Sequence, residues 1–280
     1  MQQFEIDYAK LVEQVYSSGT VKQTRNAFTK SLFGLQLKID TRDSSKLALI
    51  QGRKMYPSGV LGELAAILRE PTNVQDFEDW GCNYWSKWAD KDSGRIDIDY
   101  GIAWHANGQI KFLKECLAND PNNRRMLINA WRPHRLSQLS LPCCHYSYQF
   151  YVADGYLSMV WIQRSVDMMI GLPSDILFAH AWLIAIANEF GYKTGEITMQ
   201  LGDCHLYEQH YTGQPELDGR SPVEEYLANV LHTNKSFYAN EPHYIFTAEP
   251  GKDFCQFDPD ELLITQHYDH GPKLNLELYA

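Results

Sequence analysis

Between Val60 and Leu68 (VLGELAAIL) apolar residues recur at helical spacing and Pro71 stops the run, which predicts a buried helix carrying one acid, Glu63. Tyr146 to Val152 and Tyr156 to Gln163 are rich in aromatic and β-branched residues. Ala153-Asp154-Gly155 separates them, which predicts a hairpin of two central strands. Ile176 to Phe190 (ILFAHAWLIAIANEF) is apolar nearly all round and predicts a buried central helix, capped by Ser174 or Asp175 and ended by Gly191. Strand-like pieces return at Thr198 to Leu201, His243 to Ala248 and Lys273 to Leu278, giving helices mixed with a largely β core, an α+β class.

No internal repeat, low-complexity tract or long linker divides the chain, so residues 1–280 read as one domain. Composition narrows the function. Hydrophobic residues make up 44%, which excludes disorder, and the formal charge of −10 disfavours a dedicated nucleic-acid surface while leaving room for a basic pocket around one phosphate. No apolar run approaches the ~18 residues of a membrane span, and Met1 to Lys10 lacks a signal pattern. Six scattered cysteines make a disulfide framework unexpected, so the chain reads as soluble and cytoplasmic.

The densest chemistry is Leu141-Pro142-Cys143-Cys144-His145, followed across the hairpin by Gln163-Arg164-Ser165-Val166-Asp167. A cysteine attacks as thiolate, and a nearby guanidinium favours that form. Read from residues alone, two buried cysteines beside a strand remain the plainer alternative. A hydrolase built on Cys144 and His145 is disfavoured, because neighbours on a strand point to opposite faces. His205 and His210 have no cysteine or acid in helical register with them, so no metal is expected.

LPCCHYSYQFYV, QRSVDMMIGLP and LGDCHLYEQHY, in this order, closely resemble the thymidylate synthase family. The resemblance extends to FGLQL at Phe33, GELAAIL around Glu63, YWSKWAD at Tyr84, DYG at Asp99 and DPNNRRMLINAW at Asp120. It implies a homodimer with a large mixed sheet and a buried central helix, binding a pyrimidine nucleoside monophosphate and 5,10-methylenetetrahydrofolate. Cys144 matches the nucleophile that adds to C6 of the base, Glu63 matches the acid that organises water and moves protons there, and Tyr100 in the DYG block joins the catalytic group. Arg164 and Ser165 match phosphate ligands, with Gln163 beside them in the nucleotide site. Arg25 matches a further phosphate ligand at a slightly short spacing, and Arg124 and Arg125 match arginines that reach across the dimer to the partner's phosphate. His205 and Tyr207 match the pair that binds the sugar 3′-hydroxyl. Asp167 matches the acid on the pterin, while Trp85, Trp88, Ile170 and Gly171 match the folate-stacking wall, with Ser174 and Ala280 on the same side.

One block departs from the family. Methylating members usually read Gly-Leu/Val-Pro-Phe-Asn where this chain reads Gly171-Leu172-Pro173-Ser174-Asp175. The family asparagine reads uracil by donating to O4 and accepting from N3–H, whereas an ionised Asp175 offers only acceptors and favours cytosine. Phage deoxycytidylate hydroxymethylases resemble this chain at that position. Ser174 replaces a phenylalanine that helps close the pocket, and its smaller side chain predicts water entry and a hydroxymethyl product. The expectation is a deoxycytidylate 5-hydroxymethyltransferase; the alternatives are a C5-methyltransferase of dCMP or dUMP, or a silent relative, against which the retained Cys144, Glu63 and Arg164 argue.

Overall fold

The computed structural model describes residues 1–233, 238–264 and 267–279. Its main sheet is built from β1 (Thr20–Gln23), β2 (Phe28–Asp40), β3 (Leu127–Asn129), β4 (His145–Ala153), β5 (Tyr156–Asp167) and β6 (Lys193–Tyr207), in the order β1-β2-β6-β5-β4-β3. All neighbours run antiparallel except β5 and β6, which are parallel. A parallel pair needs a crossover. The predicted apolar helix supplies it and packs on both strands.

Among the described residues four helices exceed ten residues: α1 (Gln3–Ser18), α2 (Pro57–Ile67), α3 (Gln109–Asn119) and the crossover helix α4 (Gly171–Phe190). The predicted hairpin is present, with Asp154 and Gly155 both in left-handed conformation at φ 51° and 77°, the geometry a two-residue turn demands. Beneath the sheet's catalytic end lies an aromatic core in which Trp104 stacks on Trp182 at 4.4 Å and Tyr148 meets both Trp161 and Trp182 edge-on.

Three expectations need correction. Helix α4 starts at Gly171, so Ser174 and Asp175 lie inside its first turns and neither caps it. Pro173 is tolerated there because first-turn N–H groups have no helical partner, and Asp167 Oδ1 accepts the Met169 and Ile170 N–H groups instead. The strand predicted at His243 to Ala248 is the shorter β7 (Tyr244–Phe246), which pairs with β8 (Leu262–Ile264) in a separate two-stranded sheet. Lys273 to Leu278 joins no sheet at all. That segment is tied by side chains, with Glu277 N–H donating to Gln209 Oε1 at 2.7 Å and Lys87 Nζ donating to the Leu278 carbonyl at 2.7 Å.

Two local devices aim residues at the future site. Gly101 sits at φ 73°, and a Cβ there would lie 1.9 Å from the Ile67 carbonyl oxygen, so only glycine lets the Tyr100 segment press on the end of α2. Glu5 of α1 is buried and accepts the N–H groups of Gln51 and Gly52 at 2.8 and 2.7 Å, fixing the loop that leads into Arg53. All six cysteines are free thiols. Among the described residues no helix is long and apolar enough to cross a membrane.

Burial pushes the Glu5 carboxyl up from 4.5 to about 7 despite its N–H donors. The folded protein therefore holds a proton that the unfolded chain releases, so this contribution is full below pH 4.5 and is lost as pH rises toward about 7. Its size is on the order of 3 kcal/mol. Glu5→Gln is expected to flatten the fall in melting temperature between pH 4.5 and about 7; a slope identical to wild type would refute this linkage.

Candidate active site

Cys144 stands just before β4, held by its backbone on two sides. Its N–H donates to the Tyr100 hydroxyl at 2.6 Å, and its carbonyl accepts the Arg164 N–H at 2.9 Å. The Arg164 side chain crosses back to the same segment, donating through Nε to the Cys143 carbonyl at 2.8 Å and through Nη2 to the Pro142 carbonyl at 2.9 Å. Cys144 lines a large cavity, whereas Cys143 is buried away from it. Residue chemistry alone does not separate these two thiols, whereas the family resemblance assigns the nucleophile to Cys144. Burial raises the Cys144 thiol and Arg164 opposes it, with burial the stronger, so the expected lowering by the guanidinium does not prevail in the free protein.

His145 lines the same cavity, which contradicts the expected alternation. The reason is local: Cys144 precedes the strand, and the β4–β5 register shifts between His145 and Ser147. The His145 ring stacks on Trp161 at 4.3 Å, and its Nδ1 meets the Tyr148 hydroxyl at 2.5 Å. Burial lowers its pKa to about 3, so the ring is neutral.

Two carboxyls reach the cavity from helices. Glu63 of α2 accepts the Tyr84 hydroxyl at 2.6 Å on Oε2 and the Trp85 Nε1–H at 2.8 Å on Oε1, and burial pushes it up to about 7. Asp175, one turn into α4, accepts Gln163 Nε2–H at 2.7 Å on Oδ2. Gln163 is itself oriented, since its Oε1 accepts Trp161 Nε1–H at 3.1 Å. Burial holds Asp175 well above the usual carboxylate range. The acceptor-only character expected of it therefore needs something besides the residue type. Ser174 lines the cavity while its hydroxyl donates to the Ile170 carbonyl at 3.0 Å.

The cavity measures about 660 Å³, within the range of ligand sites. Besides the groups above, its wall includes Arg25, Ser165, His205 and Tyr207, and also Trp88, Asp167, Ile170 and Gly171, with Asp167 opposite His205 in the β5–β6 register. Trp88 tilts against Trp85 at 5.3 Å. The His205 ring donates to the Asp203 carbonyl through Nδ1 at 3.1 Å and stands edge-on to Tyr207 at 5.0 Å. Arg124 and Arg125 are exposed on the turn before β3 and do not line this cavity. Ala280 lies outside the described residues.

Sequence reasoning missed several neighbours. Tyr84 holds Glu63, although it adjoins Trp85 in a stretch already singled out. Asp99 is buried beside Tyr100 and accepts from both Arg132 and Arg135, anchoring the segment that presents the hydroxyl to Cys144. Arg53 donates to the Met169 carbonyl at 2.8 Å and also faces the cavity. Lys273 to Leu278 closes one side, and Tyr279 stacks on Tyr207 at 4.1 Å. Among the described residues no group of three or more His, Cys, Asp or Glu side chains is placed to hold a metal ion.

The cavity is thus walled by a thiol with an arginine behind it, two helix-borne carboxyls and two mutually tilted tryptophans. The family model described as thymidylate synthase matches residues 6–278. A curated thymidylate synthase from Corynebacterium aurimucosum is 35% identical over 243 residues, spanning 84% of this chain and 89% of that relative. On the strength of that match and of the site it encloses, this chain belongs to the thymidylate synthase family.

Proposed function

We propose that the chain is a deoxycytidylate 5-hydroxymethyltransferase, with residues 1–280 acting as one catalytic unit in a cytoplasmic homodimer. Folate-dependent one-carbon transfer to C5 of a pyrimidine nucleotide is the family's chemistry, with 5,10-methylenetetrahydrofolate as co-substrate. The observation that carries the finer reading is Asp175, a carboxyl on the cavity wall where methylating members usually carry an amide.

In this reading Arg164, Ser165 and Arg25 hold the phosphate, while His205 and Tyr207 hold the sugar hydroxyl. Arg124 and Arg125, free of this cavity, serve the partner's phosphate. Cys144 Sγ adds to C6, and the electron pair displaced from the C5–C6 bond makes C5 nucleophilic. Asp175 pairs with a cytosine protonated at N3, accepting from N3–H and the exocyclic amine. That pair has the same proton count as a neutral acid beside neutral cytosine, so burial does not forbid it.

The residues present fit a folate. Trp85 and Trp88 give a stacking face, the buried Trp88 Nε1–H has no partner, and Asp167 Oδ1 alone is occupied by the Met169 and Ile170 N–H groups. Bound there, the folate supplies the one-carbon unit and, for a methyl product, a hydride. After C5 has gained the carbon and lost its proton, the exocyclic methylene takes hydroxide from water and Cys144 departs. Glu63, poised near neutrality, accepts the proton of that water, and Ser174 leaves room for it. A methyl product is the second reading, favoured by Trp85 on Glu63 and by likeness to a thymidylate synthase.

Asp175→Asn is expected to move the kcat/KM ratio from dCMP toward dUMP by at least about a hundredfold. Steady-state kinetics on both nucleotides decides it, and wild-type preference for dUMP would sink the base assignment. Cys144→Ser should lower turnover by about 10³-fold or more with dCMP affinity roughly preserved, while Cys143→Ser stays active. Tritium release from C5 reads the first, calorimetry the second. For the last step, product mass and folate absorbance are expected to give 5-hydroxymethyl-dCMP with tetrahydrofolate; dihydrofolate formed in step with product would establish the methyl path instead.

A further inference from the structure

A buried acid alone does not select cytosine. Held protonated, Asp175 presents one O–H donor and one carbonyl acceptor, which is how an amide reads uracil. Discrimination therefore requires groups that keep the proton off both carboxyl oxygens when the base is bound. The structure contains them.

Gln163 already donates to Oδ2 at 2.7 Å, with its orientation locked by Trp161. His145 Nε2 faces the other oxygen, Oδ1, at 3.9 Å. This is longer than a hydrogen bond, but such contacts commonly tighten only with substrate in place. The remaining ring nitrogen, Nδ1, lies 2.5 Å from the fully buried Tyr148 hydroxyl. Which imidazole nitrogen carries the proton is set by the bond the other makes. The Tyr148 hydroxyl has two acceptors within reach, Nδ1 at 2.5 Å and the His145 carbonyl at 3.1 Å; with its one proton on the shorter contact, the ring proton sits on Nε2, the nitrogen nearer Oδ1.

We propose that Tyr148 and His145 form a relay that fixes an Nε2–H donor on Asp175 Oδ1, so that Asp175 meets the base as an acceptor-only carboxylate and selects cytosine over uracil. His145 and Tyr148 are then specificity-determining positioning residues. The inference rests on the reading that Asp175 faces the base. The relay opposes the other charges near Asp175, Glu63 on α2 and Asp167 at the end of β5, which both favour its neutral form. Contact of the His145 ring with Trp161, stacked at 4.3 Å, and with Tyr100, tilted at 4.5 Å, leaves it little freedom to turn its nitrogens elsewhere.

The test is a mutant cycle read on two nucleotides. Tyr148→Phe deletes one hydroxyl, and His145→Phe keeps a ring on Trp161 but removes the donor. Each is expected to lower the dCMP-to-dUMP ratio of kcat/KM by about tenfold or more, with the same change in the ratio of nucleotide dissociation constants measured without folate. In an Asp175→Asn background neither should move that ratio further. Equal losses on both nucleotides, or a change that persists with Asn at 175, would overturn the relay as a merely structural pair. If His145→Phe does not fold, the single-atom Tyr148→Phe variant decides alone. If Asp175→Asn by itself leaves the preference unchanged, the base-reading assignment fails and the relay falls with it; if it swaps the preference while Tyr148→Phe and His145→Phe do not, only the relay falls.

Discussion

The register between β4 and β5 is the constraint on which the site depends. A two-residue turn with both central residues left-handed allows one pairing of the two strands, and a slip by one residue would send every side chain to the opposite face. In the observed register the Arg164 N–H meets the Cys144 carbonyl, and His145 stands opposite Gln163. Cys144, Arg164, Gln163 and His145 thus all come from the two strand ends farthest from the turn. Helix α4 follows β5 directly, so the same pairing also sets where Asp175 enters the cavity.

Burial dominates the electrostatics of the cavity. Glu63 and Asp175 are raised by it and lowered only in part by the donors that hold them. The Cys144 thiol is raised by it against Arg164. A resting site of mostly neutral groups avoids placing several like charges in one apolar volume. On the proposed reading, ionisation is coupled to arrival of the nucleotide, whose base takes up a proton from Asp175.

Much of this was legible along the chain, because the hairpin and α4 are signalled by local periodicity and turn chemistry. The start of α4 was not, since its N-terminal donors are served by Asp167, and a proline in the first turn reads as a helix start too late. Lys273 to Leu278 alternates like a strand, yet alternation does not say whether a partner strand is available. The family blocks in the sequence led to residues that line one cavity, Arg124 and Arg125 excepted. Tyr148 and His145 escaped notice as a unit because their relation to Asp175 joins a strand residue, a bulged neighbour and a helix that begins twenty-six residues after His145 at Gly171.

The sheet's connectivity also bears on how the chain is made. Strand β2 finds β1 beside it at once, but its other edge pairs with β6, whose residues 193–207 leave the ribosome long after residues 28–40. At roughly 5–20 residues per second of synthesis, that edge stays unpaired for on the order of ten seconds or more. During this interval β2 presents an open hydrogen-bonding edge bearing Phe33, an invitation to intermolecular pairing. Slower translation between the codons for β2 and β6 is therefore expected to lengthen that exposure and to lower the yield of native protein.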